Sequence, residues 1–222
     1  MFRVIERFVS IDGEGPTSGA LAAFIRFEGC NLRCTWCDTK YSWDGSCSYE
    51  EQSAEDIYQY IKESGASNVT LTGGEPLLQK DMFQLLDLLY HDNKLTVHIE
   101  TNGALDIRKY KQRYQEGNVH YVLDYKLPGS GMQRTMKESN FDCINHEDVY
   151  KFVIASEEDL QETWRIVKEH QLTKKCQVFL SPVTESIEPK KIVEFMIDRK
   201  WHDVRLQVQV HKLIWPKDMR GV

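Results

Sequence analysis

Short apolar runs alternate with amphipathic stretches along most of the 222-residue chain. The runs have the length and the β-branched and aromatic content that are typical of strands. We predict seven strands, at Leu21–Phe27, Val69–Thr72, Thr96–Glu100, Val119–Tyr125, Tyr150–Ile154, Cys176–Ser181 and Val204–Val210.

Helices are predicted between the strands, where capping pairs, a leucine repeat and a proline mark them. Their expected positions are about 53–64, 81–90, 156–170 and 189–200. The capping pairs are Ser53 with Asp56 and Ser156 with Asp159. Residues 127–148 are polar and irregular, so any helix there should be short.

Alternation of strands and helices predicts an α/β fold with a parallel sheet. Six or seven strands fall short of a complete eight-fold barrel, whose chain usually has about 250 residues. We therefore predict an incomplete, or partial, βα barrel, with an open doubly wound sheet as the alternative. No linker is visible, so residues 1–222 should form a single domain.

Composition and charge narrow the classes of function. Hydrophobic residues make up 41% of the chain, which is enough for a substantial core. The formal net charge of −6 argues against binding to nucleic acid or a membrane surface. No apolar run approaches the length of a membrane span, and the first residues lack the apolar core of a signal peptide. We expect a soluble, cytoplasmic protein.

Three of the six cysteines lie within eight residues, directly after the first predicted strand. Cys30, Cys34 and Cys37 have the spacing C-x3-C-x2-C. In a reducing compartment, clustered thiols more often bind metal or perform redox chemistry than form disulfides. Three thiolates can bind three irons of a [4Fe–4S] cluster and leave the fourth iron open to a small molecule.

Three other interpretations of the cysteines remain open. The spacing also matches one face of a helix, although Gly29, Asn31 and Asp38 suit a helix interior poorly. Zinc would require a fourth ligand, for which Cys47 is the nearest candidate. A four-cysteine cluster for electron transfer would also recruit Cys47.

Polar, glycine-marked segments end the next three predicted strands. They are Thr72–Pro76, Glu100–Gly103 and Asp124–Lys126. Cofactor sites in βα barrels lie at these carboxyl ends of the strands. The segments are therefore expected to converge beside the cysteines.

The cysteine spacing after an early strand, followed by Gly73-Gly74-Glu75-Pro76, resembles the signature of the radical S-adenosylmethionine (SAM) superfamily. The resemblance implies that SAM chelates the open iron and yields a 5′-deoxyadenosyl radical when an electron arrives. It further implies SAM contacts from Trp36, Cys37, Asp38, Gly74, Glu75, Glu100, Asn102, Asp124, Lys126 and Ser181.

Within that superfamily, the chain resembles the 7-carboxy-7-deazaguanine synthases of queuosine biosynthesis over nearly its whole length. Matching segments include Ile11–Gly15, Arg26, Cys37-Asp38-Thr39, Trp43-Asp44-Gly45, Gly131-Met132 and Gln209–Lys212. These lyases serve a tRNA modification pathway, contracting the ring of 6-carboxy-5,6,7,8-tetrahydropterin with loss of ammonia and regeneration of SAM. The implied substrate contacts are Ile11, Asp12, Gly13, Glu14, Arg26 and Thr72.

The chemistry of the pterin suits two of these contacts. Arg26 can pair with its carboxylate through charge-assisted hydrogen bonds, and Glu14 can accept hydrogen bonds from the ring nitrogens. The resemblance also implies a magnesium ion on Thr39, whose hydroxyl is the kind of oxygen ligand that Mg²⁺ prefers. No residue is assigned proton transfer, and His211 is expected only to help close the pocket.

The resemblance implies a homodimer that receives its electron from flavodoxin or ferredoxin. Two positions depart from the family pattern: Asp12 stands where glutamine is usual, and Asp124-Tyr125-Lys126 stands where Ser-Pro-Lys is common. Two alternative functions are a glycyl-radical-enzyme activating protein and a non-catalytic zinc or iron–sulfur protein.

Overall fold

The computed structural model describes residues 1–216 and 219–222. The strands are β1 Phe2–Ile11, β2 Leu21–Phe27, β3 Glu50–Gln52, β4 Asn68–Gly73, β5 Thr96–Thr101, β6 Val119–Tyr125, β7 Val149–Ile154, β8 Gln177–Pro182 and β9 Arg205–Leu206. The α-helices are α1 Ala54–Ser64, α2 Met82–Tyr90, α3 Arg108–Arg113, α4 Glu157–Glu169, α5 Pro189–Asp198 and α6 His211–Ile214. Short 3-10 helices interrupt the loops, including three between β6 and β7.

The strands form a single sheet in the order β3-β1-β2-β4-β5-β6-β7-β8-β9. From β2 onward the neighbours are parallel, whereas β1 pairs antiparallel with both β2 and β3. Each crossover adds the next parallel strand on the same side. Such crossovers are almost always right-handed, so the connecting helices are expected to share one face of the sheet. A doubly wound sheet would reverse this order. The partial barrel is therefore confirmed, and its sheet stays open between β3 and β9 in the described residues.

Alternation along the parallel strands separates an outer face from an inner one. In β6, Tyr121 and Leu123 point to the helices and join the main hydrophobic core. Val122 points the other way and packs with Val149 and Phe179 in a small separate cluster. The helices thus bury the outer face, and most of the inner face is left to polar side chains, which makes it the natural place for ligands.

Local sequence signals explain where the helices begin. Ser53 and Asp56 form the complete capping box before α1. Ser156 caps α4 by accepting from the Asp159 backbone N–H, but the Asp159 carboxylate accepts from the N–H groups of Gly129 and Ala155 instead. In the described residues, no helix has both the length and the apolar character needed to cross a membrane.

The first and third strands do not figure among the predicted strands. Phe2 and Val4 are buried on one side of β1, but the charged residues Arg3, Glu6 and Arg7 obscure this alternation in the sequence. A register shift between Val4 and Glu6 weakens the pattern further. Antiparallel pairing with β2 therefore decided the structure of this segment, which its local pattern alone did not predict.

The last predicted strand is much shorter than expected. Of Val204–Val210, only Arg205–Leu206 pairs as β9. Beyond it, the Gln207 side chain donates to the Gly15 carbonyl oxygen at 3.0 Å, and the Val210 N–H donates to the Gly13 carbonyl oxygen at 2.9 Å. The predicted length is wrong because the chain leaves the sheet here to bond with the segment at residues 11–15.

Candidate active site

The cysteine loop lies at the carboxyl ends of the parallel strands, as the sequence predicted. It is attached to neighbouring loops by backbone hydrogen bonds: the Gly29 N–H donates to the Ser42 carbonyl oxygen at 2.7 Å, and the Thr35 N–H donates to the Ser130 carbonyl oxygen at 3.2 Å. Trp36 packs against Gly129, where an added Cβ would lie 2.9 Å from its indole ring. The loop is thereby fixed between β2 and the turn after β6.

Two glycines let the loop after β4 approach the cysteine loop closely. A Cβ added at Gly73 would lie 2.3 Å from the Phe27 carbonyl oxygen, and one at Gly74 would lie 2.1 Å from the Gly29 carbonyl oxygen. Gly73 also has φ +132°, which other residues rarely adopt. The Gly-Gly pair is therefore required by this contact, whatever its role toward a ligand.

Glu75 is completely buried beneath this contact. Its carboxylate accepts from the Leu77 N–H at 3.0 Å, the Thr101 hydroxyl at 2.8 Å and the Asn102 N–H at 2.7 Å. Burial nevertheless raises the pKa of Glu75 to about 7, against the effect of these hydrogen bonds. In this structure the carboxylate accepts from protein groups and fixes Asn102, and its contact with SAM stays a prediction.

The surroundings of the thiols suit an iron–sulfur cluster. The Cys30 sulfur accepts from the Leu32 N–H at 3.4 Å and from the Asn102 side-chain amide at 3.7 Å. Burial raises the pKa of Cys34, while nearby Lys126 acts in the opposite direction. Burial also raises the pKa of Cys30, so these donors and Lys126 offset only part of the cost of forming the thiolates that would bind metal.

Cys47, the candidate fourth ligand, has a different partner. Its sulfur accepts from the Arg220 guanidinium at 3.1 Å. Arg220 also lies over the Tyr41 ring, 3.7 Å from its centroid. Cys47 is thus engaged by the C-terminal segment, an arrangement that does not favour the zinc and four-cysteine interpretations.

Charged residues that were predicted to contact SAM meet on the inner face around Lys151. Its ammonium nitrogen lies 3.3 Å from Glu100 Oε2 and 3.4 Å from Asp124 Oδ1. The other oxygen of Asp124 accepts from Lys126. Burial would raise the pKa of Asp124, but Lys126 and Lys151 together outweigh it and hold that pKa below its ordinary value.

Lys151 is a site residue that the sequence reasoning missed. A signal was available, because it is the one charged residue of β7 and alternation sends it inward between the outward-facing Tyr150 and Phe152. It also reaches the segment at residues 11–15, where its nitrogen lies 3.3 Å from Glu14 Oε1. The predicted substrate contacts and the predicted SAM contacts therefore share one cation.

The C-terminal segment covers residues 11–15. A Cβ added at Gly13 would lie 1.9 Å from His211 Nδ1, so only glycine fits beneath that ring. Burial lowers the pKa of His211, and Glu14, Asp38 and Arg26 lie close enough to influence that pKa. His211 thus lies among the predicted substrate contacts, and its role in closing a pocket stays a prediction.

Arg26 and Thr72 are register partners on β2 and β4. The Arg26 Nε lies 3.7 Å from Glu6 Oε2, and both atoms are buried without a hydrogen bond. The Ser181 hydroxyl is likewise buried without a partner. Unsatisfied polar atoms of this kind are what a polar ligand would complete. Thr39, predicted for magnesium, donates its hydroxyl to Asp38 at 2.8 Å.

Asp12 lies deeper on the inner face than the other predicted substrate contacts. Its carboxylate accepts from the Thr17 hydroxyl at 2.6 Å and the Thr70 hydroxyl at 3.4 Å. Burial raises its pKa to about 6. Nearby His98 is neutral at physiological pH, since burial lowers its pKa to about 4. Asp12 is therefore held by protein hydroxyls at the base of the pocket.

Comparisons with known proteins agree with this geometry. The sequence model of the Radical SAM superfamily matches residues 24–196. A 7-carboxy-7-deazaguanine synthase from Clostridium acetobutylicum is 48% identical over 221 residues, covering 100% of this chain and 99% of the relative. The synthase of the same name from Chlorobaculum tepidum is 35% identical, covering 99% of this chain and 96% of the relative.

Solved structures give the same result for the fold. The crystal structure of QueE from Escherichia coli matches with a TM-score of 0.74 at 26% identity, covering 94% of this chain and 93% of that one. Streptococcus suis SuiB, solved with SAM bound, matches with a TM-score of 0.58 at 16% identity, covering 81% of this chain and 47% of that one. The second match shows a shared fold only.

The raised pKa of Asp12 predicts how stability depends on pH. The folded chain binds this proton more tightly than the unfolded chain, so the free energy of unfolding falls as pH rises from about 4 to about 6. Asp12→Asn keeps an oxygen for both hydroxyls and carries no charge. We expect this variant to be more stable than the wild type at pH 7 by about 1–3 kcal/mol, and the difference to shrink toward pH 5.

Thermal unfolding at several pH values measures this difference. Asp198→Asn is the matched control, because Asp198 is exposed at the end of α5 and its substitution should leave the pH dependence unchanged. A constant stability difference between wild type and Asp12→Asn from pH 5 to pH 7.5 would contradict the raised pKa of Asp12.

Proposed function

The chain belongs to the radical SAM superfamily and, within it, to the 7-carboxy-7-deazaguanine synthases, and we propose that it converts 6-carboxy-5,6,7,8-tetrahydropterin into 7-carboxy-7-deazaguanine and ammonia. The observation that carries this proposal is the grouping of charged residues on the inner face of the sheet. Glu14, Arg26 and His211 lie beside the cysteine loop and beside the charged residues around Lys151. Membership of the superfamily implies a [4Fe–4S] cluster and SAM.

Cys30, Cys34 and Cys37 would hold the cluster, with Asn102 donating to the sulfur of Cys30. Glu100, Asp124, Lys126 and Ser181 would surround SAM. When bound, the cluster and SAM supply the hydrogen-atom abstraction that starts the rearrangement. The chain supplies binding, orientation and exclusion of water.

The substrate fits the charges of the pocket. Arg26, whose Nε lacks a hydrogen-bond partner, would pair with the pterin carboxylate. Glu14 would accept from the guanidine-like edge of the ring, and Thr72 is the register neighbour of Arg26 on the same face. The product and ammonia together contain every atom of the substrate, so the overall reaction involves no net oxidation or reduction. SAM is accordingly regenerated.

We also propose that a magnesium ion binds beside the substrate. The Thr39 hydroxyl, which donates to Asp38, would bind the ion, because Mg²⁺ commonly combines one or two protein oxygens with waters and a ligand's anion. The pterin carboxylate would supply that anion. We also propose a homodimer and a flavodoxin or ferredoxin as the electron donor.

Turnover of the pterin tests the proposed reaction. Anaerobically reconstituted protein with SAM, magnesium, a reductant and carboxytetrahydropterin should form deazaguanine and equal amounts of ammonia. Arg26→Gln should raise the KM for the pterin by about 10- to 100-fold, the range expected for a lost charge-assisted hydrogen bond. Arg7→Gln on the same sheet is the control, because Arg7 is exposed beside the Tyr60 ring.

An absence of deazaguanine product from the wild-type protein would contradict the proposal. Formation of a glycyl radical on a partner protein would favour the activating-enzyme alternative instead.

The magnesium site can be tested through its concentration dependence. Thr39→Ala should raise the magnesium concentration for half-maximal turnover by about tenfold, the scale on which metal-shell contacts act. Thr39→Ser retains the hydroxyl and should behave like the wild type. Equal magnesium dependence in all three proteins would exclude Thr39 as a ligand.

A further inference from the structure

Lys151 contacts carboxylates from three separate parts of the chain. Its nitrogen lies 3.3 Å from Glu14, 3.3 Å from Glu100 and 3.4 Å from Asp124, and only 6% of its side chain is exposed. Glu14 belongs to the segment after β1, Glu100 to β5 and Asp124 to β6. A single ammonium group thus connects three elements across the inner face.

The network is electrostatically interdependent. Burial would lower the pKa of Lys151, but the three carboxylates outweigh it and keep the lysine charged. The carboxylates depend on the lysine in turn, because without it Glu14, Glu100 and Asp124 would face one another as partly buried like charges, with only Asp124 still paired to Lys126. Removing one partner from such a buried network leaves uncompensated charge, which the structure relieves by moving or protonating the carboxylates.

The three carboxylates serve different ligands in the proposed function. Glu14 is proposed to hold the pterin, whereas Glu100 and Asp124 are proposed to hold SAM. The position of Lys151 therefore sets the distance between the two binding sites. Transfer of a hydrogen atom needs the reacting atoms about 3–3.5 Å apart, so small displacements have large effects.

We propose that Lys151 is a positioning residue, which holds the pterin site and the SAM site in register through Glu14, Glu100 and Asp124. The inference rests on the proposed function for the identity of the two ligands. It assigns Lys151 no contact with the reacting atoms. Its predicted signature is therefore loss of coupling between SAM cleavage and product formation, rather than loss of activity alone.

The chain offers a matched control for a buried lysine. Lys111 pairs with Asp148 at 2.7 Å, and their side chains are 9% and 0% exposed. Lys111 also lies 5.2 Å from the centroid of the Tyr121 ring, which belongs to the outer core. Lys111→Met therefore removes a lysine that is buried to a similar extent as Lys151 but lies on the opposite side of the sheet.

The test compares Lys151→Met with Lys111→Met in reconstituted holoenzyme. We measure 5′-deoxyadenosine formed per deazaguanine, the KM for the pterin, and the affinity for SAM by equilibrium dialysis. Lys151→Met should raise the ratio of 5′-deoxyadenosine to product about tenfold. It should also weaken the binding of both the pterin and SAM, because Lys151 no longer fixes the two binding sites relative to each other. Lys111→Met should lower stability and leave the ratio at the wild-type value.

A wild-type ratio in Lys151→Met would overturn the inference, and so would an equal rise in both variants. If Lys151→Met does not fold, Lys151→Arg decides: its planar guanidinium keeps the charge but directs its donors differently. The ratio should then rise at least about twofold, and a wild-type ratio would overturn the inference.

Failure of the proposed function would look different, because the wild-type protein itself would form no deazaguanine. SAM affinity would still decide whether Lys151 acts on the pocket: a specific loss in Lys151→Met supports this, and equal affinity in both variants refutes it.

Discussion

The uncovered inner face of the sheet is the constraint on which the rest of the structure depends. Crossovers that all add strands on the same side place the helices that connect the parallel strands against the outer face. Charged side chains then line the inner face, and burying them is unfavourable unless each has a partner. Lys151 meets this requirement for Glu14, Glu100 and Asp124 at once.

The cysteine loop depends on close backbone contact as much as on its thiols. Gly73 and Gly74 allow the loop after β4 to reach Phe27 and Gly29. Glu75 then extends this contact to Asn102, and Asn102 donates to the sulfur of Cys30. The consecutive residues Gly73, Gly74 and Glu75 therefore connect the ends of β4 and β5 to Cys30. This explains physically why glycine and glutamate follow one another here.

Much of this arrangement could be predicted from the sequence. Strands such as Leu21–Phe27 and Val119–Tyr125 match their predicted bounds, because apolar residues predominate in each run and define its ends. The helix at 54–64 was predictable because Ser53 and Asp56 form a local capping box. The cysteine loop and its neighbouring strand ends could be inferred from spacing together with the barrel topology.

What could not be predicted depends on contacts between distant residues. The first strand is stabilised by pairing with β2, and Val204–Val210 leaves the sheet because of partners at residues 13 and 15. The alternation of β7 indicates that Lys151 points inward, but its three carboxylate partners come from distant parts of the chain. The buried Glu75 likewise accepts from Thr101 and Asn102, which are distant from it in sequence.

The central claim is that Cys30, Cys34 and Cys37 leave one iron of a [4Fe–4S] cluster open to SAM. Mössbauer spectroscopy of the reconstituted protein, recorded with and without SAM, tests it most directly. The account predicts that one iron of the four changes its spectrum when SAM is added, with the same result in Cys47→Ala. Four irons that do not respond to SAM, or loss of the cluster in Cys47→Ala, would contradict it.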